Sequence, residues 1–164
     1  MNSIPSKEAE VEFLKCCGSK KWARNVANQR PFSTLDDLLA KADEVWWSLK
    51  PHHWLEAFSS HPKIGERKPA RVSSPESLSW SRQEQAGISN ATQEIEQSLA
   101  TLNREYEDKF GYIYIVCATG KSSEEMLAIL RERLHNDPDI ELRTAAGEQA
   151  KITELRLVRL VRCQ

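Results

Sequence analysis

Residues 35–49 read Leu-Asp-Asp-Leu-Leu-Ala-Lys-Ala-Asp-Glu-Val-Trp-Trp-Ser-Leu. The apolar side chains Leu35, Leu38, Leu39, Ala42, Val45, Trp46 and Leu49 recur in steps of three and four. That spacing winds them onto one face of a helix. Ser33 with Asp36 has the form of a capping box at its start, with the shorter acid as partner. Pro51 stops it. The same period governs the flanking sequence. Ser6 is placed to cap a helix carrying Val11, Phe13, Leu14 and Cys17, closed by Gly18. Ser19 is placed to cap another with Trp22 and Val26 one turn apart. Trp54, Leu55 and Phe58 suggest a short helix after Pro51.

The second half repeats the pattern with one interruption. Ile95, Leu99, Leu102, Tyr106 and Phe110 mark a long helix ended by Gly111. Tyr112 to Ala118 are aromatic and β-branched types that favour extended backbone. No second strand is available to pair with them, so they read as an extended or buried connector. Ser122 with Glu125 is a capping box for a helix through Leu134. Asp137-Pro138 starts the last helix, on Ala145, Ile152, Leu155 and Val158. The expected fold is all-α: one domain over residues 1–164, an irregular bundle of six to eight helices. A long loop is expected around residues 61–79, where Pro62, Pro69, Pro75 and Gly65 gather with the basic Lys63, Arg67, Lys68 and Arg71. A mobile linker there would split a small core, whereas long ordered loops in compact domains tend to be functional.

Composition narrows the function. With 164 residues, 40% of them hydrophobic, the chain suits one globular core. Its 23 basic and 24 acidic residues leave a net charge of −1, with no field to draw it to nucleic acid or an acidic membrane. The longest apolar run, 113–118, is too short to cross a bilayer. Met1 to Pro5 show no basic region followed by an apolar stretch, and Arg162-Cys163-Gln164 is not a peroxisomal tripeptide, so the expected compartment is the cytoplasm. Cys16, Cys17, Cys117 and Cys163 form no CxxC pair and read as free thiols. The five tryptophans fall mostly at helical core positions and read as packing.

Three places can carry chemistry. In Ser60-His61-Pro62-Lys63-Ile64-Gly65-Glu66, Pro62 biases His61 toward extended backbone and Gly65 permits a sharp turn. His61 is then either a proton donor and acceptor at a loop mouth or a brace for that turn. In Ser81-Arg82-Gln83-Glu84-Gln85-Ala86-Gly87, Ser-x-x-Glu is also a capping box. As such it places Glu84 near a helix start, where the dipole favours an anion. Ala86 and Gly87 would let another backbone or a ligand come close. Arg156 is a natural fork for a substrate carboxylate, although Arg156, Arg159 and Arg162 recur every three residues as a solvated face would. No metal set emerges: His52 and His53 are adjacent and chelate poorly, and HExxH is missing. Nor is there a P-loop, a GxGxxG array or a GxSxG elbow.

Taken in order, His61-Pro62-Lys63-Ile64-Gly65-Glu66, Ser81-x-x-Glu84-Gln85-Ala86-Gly87, Tyr106-Glu107-x-Lys109-Phe110-Gly111-Tyr112-x-Tyr114-Ile115-x-x-Ala118-x-Gly120-Lys121-Ser122 and Glu148-x-x-Lys151-Ile152-x-x-Leu155-Arg156-Leu157 resemble the 2-oxo-4-hydroxy-4-carboxy-5-ureidoimidazoline (OHCU) decarboxylases. The resemblance spans nearly the whole chain. It implies an all-helical enzyme with no cofactor and no metal, acting on a small molecule to form (S)-allantoin from a urate-derived ureide, often as a homodimer. It implies that His61 and Glu84 are catalytic. Pro62, Ser81 and Gln85 would line the pocket, Ile115, Val116 and Ala118 would offer backbone groups to the substrate ring, and Arg156 would bind the substrate. The competing readings are a helical ligand- or protein-binding module without catalysis, with a long apolar groove and a disposable His61, and a ring-opening ureide hydrolase, which would need an activated water.

Overall fold

The structure, a computed structural model, describes residues 1–66 and 74–162. Eight α-helices follow one another among the described residues: α1 Ser6–Cys16, α2 Lys20–Asn28, α3 Leu35–Ser48, α4 Pro51–Phe58, α5 Pro75–Glu84, α6 Gln93–Phe110, α7 Ser123–Arg133 and α8 Pro138–Arg162. A 3-10 turn, Ala86–Asn90, joins α5 to α6. There is no strand among the described residues, as the helical periodicity predicts.

Most helix ends are where local chemistry puts them. Ser19 accepts from the Trp22 N–H, Ser122 and Glu125 form a full capping box, and Gly111 ends α6 with φ +80°. Two caps shift by one residue. Pro5 rather than Ser6 precedes α1. In α3 Thr34 accepts from Asp37 N–H while the Asp37 carboxylate takes the Ser33 N–H, so the acid needed for reciprocal capping is Asp37 and not Asp36. The larger correction concerns the expected loop over 61–79. It ends at Ser74, which caps α5 by accepting from Ser77 N–H, with Pro75 in the first turn. The basic Arg67, Lys68 and Arg71 lie outside the described residues.

Two apolar cores share the molecule. One gathers α1 to α4 and α8 around Phe13, Trp22, Trp46 and Phe58; the other gathers α6 and α7 around Leu99, Tyr106, Met126 and Leu130. The extended segment 112–118 runs between them. Its side chains alternate as extended backbone requires: Ile113, Ile115 and Cys117 enter the first core, and Tyr114, Val116 and Ala118 the second. The segment is therefore apolar on both faces without a partner strand. Trp22, Trp46 and Trp54 are buried with each indole N–H given to a backbone carbonyl, as packing residues should be. Gly87 is small for a visible reason. A Cβ there would stand 2.0 Å from the Lys121 carbonyl oxygen, so the 3-10 turn touches the approach to α7 backbone to backbone.

Candidate functional site

Glu84 is the last residue of α5, not an early one. The Ser81-x-x-Glu84 spacing therefore caps nothing, and the helix dipole at this end disfavours a carboxylate. An arginine supplies what the dipole does not. Arg156 Nε donates to Glu84 Oε1 at 2.8 Å and Nη2 to Oε2 at 2.7 Å, a bidentate pair, and Nη2 also reaches Ser81 Oγ at 2.9 Å. Ser81 and Glu84 sit one turn apart and so present both groups to α8. Arg156 is buried, which removes the reading of a solvated arginine face at that position.

His61 follows α4, its N–H given to the Phe58 carbonyl. The ring is buried, with Nε2 2.8 Å from Gln149 Oε1. Burial, and then the nearby Arg156 charge, push its pKa down to about 3 against the modest support of Gln149. The imidazole is thus neutral at physiological pH, unlike a solvated histidine. The loop after it is pinned to its surroundings. Lys63 pairs with Glu107 at 2.5 Å, Asn103 Nδ2 donates to the Ile64 carbonyl, and Gly65, at φ +86°, gives its N–H to Gln85 Oε1.

These elements close on one cavity lined by His61, Pro62, Ser81, Glu84, Gln85, Ile115, Val116 and Ala118, with Ile64, Tyr114 and Ile152. Every pocket residue expected from sequence is there except Arg156, which stands behind Ser81 and Glu84. The walls are close, leaving ≈ 20 Å³ open to a water-sized sphere. A hollow of ≈ 600 Å³ adjoins it and shares Pro62, Ser81 and Gln85. A separate apolar hollow of ≈ 470 Å³ between α3 and α8 has none of the convergent groups.

The extended wall is fixed from outside. Arg133 Nη1 donates to the Ile115 carbonyl at 2.6 Å, the Cys117 N–H is given to Glu148 Oε2 at 2.7 Å, and Lys121 Nζ donates to the Cys117 carbonyl at 2.7 Å. Backbone groups of adjacent residues point to opposite sides of an extended chain. The Val116 N–H and C=O thus point away from these anchors, and no described residue bonds them. Sequence reading missed Gln149, Arg133 and Glu148. The available signal for Gln149 was a polar line, 149, 153, 156, at steps of four and three along the buried side of α8. Among the described residues, no group of three or more His, Cys, Asp or Glu side chains could hold a metal ion.

The OHCU decarboxylase family model matches residues 2–158. The chain belongs to the OHCU decarboxylase family. Relatives of that family include a uric acid degradation bifunctional protein of Arabidopsis thaliana, 37% identical over 92% of this chain and 47% of its own length. A similar bifunctional protein of a Bacillus species is 28% identical over 92% of this chain, which spans 30% of it. The chain thus covers half or less of these two-function relatives. It covers 80% of the OHCU decarboxylase of Amia calva, at 32% identity over 86% of itself. Among solved structures, an OHCU decarboxylase crystallised in the presence of (S)-allantoin superimposes with TM-score 0.78, 37% identity, and coverage of 91% of this chain and 96% of that one.

Proposed function

We propose that this chain decarboxylates 2-oxo-4-hydroxy-4-carboxy-5-ureidoimidazoline to (S)-allantoin in urate breakdown, without a cofactor. One observation carries the reading: inside a chain of this family, His61 and Glu84, from different elements, wall one cavity with a buried guanidinium behind it. The substrate has a carboxylate and a hydroxyl on one ring carbon beside a C=N carbon. When the bond to the carboxylate breaks, its electron pair passes into the C=N unit, so the substrate is its own electron sink. The hydroxyl proton then leaves, and the nitrogen of the former C=N unit takes up a proton. One proton is added to one face of the ring carbon that bears the ureido group. The net uptake of one proton matches the charge lost with the carboxylate.

The chain's part is to orient and to move protons. Glu84, held by Arg156, is placed to accept from the substrate hydroxyl or ring N–H. His61, neutral in the free protein, can take a proton more readily once an anionic substrate lies beside it. The Arg156 charge attracts the carboxylate, although its bidentate edge is engaged by Glu84, so its main action runs through that residue. The polar groups of Val116 and the Gln85 amide are left to bind the ring.

The test is enzymatic urate oxidation with and without this protein, followed by circular dichroism of the allantoin. Fast appearance of the (S) signal supports the reading, and a rate equal to the spontaneous one refutes it. A homodimer is proposed from the family resemblance and the tryptophan-rich composition; light scattering at micromolar concentration that finds only monomer removes it. The proposed compartment is the cytoplasm, to be checked by fractionation of the source cells. No helix among the described residues is long and apolar enough to cross a membrane.

A further inference from the structure

His61 has two ring nitrogens, and only one of them can face the substrate. Nε2 is turned to Gln149 Oε1 at 2.8 Å, in the protein interior. Gln149 is fully buried on α8, and its amide nitrogen donates to Thr153 Oγ1, one turn on, at 3.1 Å. A primary amide has one acceptor oxygen and one NH2 donor. With the NH2 turned to Thr153, the oxygen meets Nε2. If Nε2 carried no hydrogen, two lone pairs would face each other at 2.8 Å in a buried site, which is costly. We propose that Gln149 is a positioning residue that holds His61 as the Nε2–H tautomer and so offers the bare Nδ1 to the substrate.

Other contacts agree. His61 lines the cavity, and no described residue bonds Nδ1. The charged groups facing this region are Arg156 from α8 and Glu84 from α5, and they pair with each other. The residue behind the imidazole is thus an uncharged amide. A carboxylate in that position would orient the ring as well but would also stabilise imidazolium. The amide fixes the orientation and leaves the ring neutral, ready to accept a proton rather than already holding one. What Nδ1 then does rests on the proposed decarboxylation; the tautomer itself is a property of the free protein.

The two parts are therefore tested separately. In 15N-labelled free protein at neutral pH, with the His61 signals assigned by their loss in His61→Ala, the ring-nitrogen shifts should show Nε2 protonated and Nδ1 bare. The reverse pattern, which the flipped amide would give, overturns the proposal. Gln149→Glu should raise the pH at which His61 titrates by a unit or more, roughly a tenfold gain in proton affinity, and move the acid limb of kcat with it. Gln149→Leu should lower kcat about 10–100-fold, the scale for loss of an outer-shell partner, with little change in KM. An unmoved pH profile in Gln149→Glu, or wild-type kcat in Gln149→Leu, overturns the proposal. Nε2–H in a wild-type protein that makes no allantoin supports the tautomer and sinks the decarboxylase reading alone.

Discussion

Two arginine–glutamate pairs have a buried guanidinium. Arg133 on α7 meets Glu141 on α8 through Nε at 2.8 Å and Nη2 at 2.5 Å. Arg156 on α8 meets Glu84 at the end of α5 at 2.8 and 2.7 Å. Chemically they are alike, but their surroundings differ. Glu141 is fully buried and also receives the Tyr106 hydroxyl and the Asn136 amide, while Arg133 stacks against the Tyr114 ring 4.9 Å from its centroid and holds the Ile115 carbonyl. Every direction is taken. Glu84 keeps one side on the cavity, and among the described residues Ser81 alone shares its arginine. A buried ion pair therefore says little about function by itself. What marks the site is an acceptor whose ring of donors is left open on the side of a cavity that a neutral imidazole also lines.

If that contrast is right, breaking the closed pair harms the fold and disturbing the open pair harms the rate. Glu141→Gln strands the Arg133 charge in the interior and should cost about 3–5 kcal/mol of stability, read from urea unfolding. A loss below 1 kcal/mol would mean that the closed pair is not structural. Arg156→Lys keeps the charge but loses the fork that holds both Glu84 oxygens. It should lower kcat/KM on the order of 100-fold with a smaller change in unfolding, and Arg159→Lys should stay close to wild type. The opposite ranking would move the role to Arg159.

Smaller effects sharpen the comparison. Gly87→Ala forces a Cβ to 2.0 Å from the Lys121 carbonyl, beside the site but away from both pairs. Backbone must shift, at a cost of about 1–3 kcal/mol in a melting or urea experiment, with activity of the folded fraction little changed. The last signal is electrostatic and is spread over a range of pH. Burial pushes the folded pKa of His61 down to about 3, below the ordinary histidine value of 6.5. Between those values the unfolded chain binds a proton that the folded chain refuses, so His61 makes stability fall as pH drops. Its share of the slope is about 1.4 kcal/mol per pH unit within that window. His61→Gln should flatten the acid side of the stability curve, and an unchanged slope would place the ring in a wetter environment.

What was legible in the sequence was local. The stripe of α3, the Gly111 stop, the Ser122–Glu125 box and the extended 112–118 segment each depend on residues a few positions apart, and each is present. The His61 and Glu84 motifs were legible as a set in order. The helix that carries Glu84 was misread, because Ser-x-x-Glu fits a helix start and a helix end equally, and Ser74-Pro75 was hidden within a proline-bearing stretch. Gln149 and the Arg133–Glu141 pair were not legible. Their partners are set by how α8 packs against α7 and against the turn after α4; the spacing of Arg133 does not distinguish it from a surface position, and the polar line 149, 153, 156 marks Gln149 without naming its partner.

The joint action of His61 and Glu84 is tested most directly by single-turnover decay of freshly made substrate. The set is His61→Ala, Glu84→Gln and the double variant, with melting curves alongside. Gln is the substitution of choice at 84 because Ala would leave Arg156 buried without a partner. Each single change should slow decay by about two to four powers of ten, the scale for a positioned acid or base. The double change should cost far less than the product of the two, as for groups sharing one step. A fully active His61→Ala, or one whose only defect is unfolding, would make His61 a brace for the turn and contradict the mechanism.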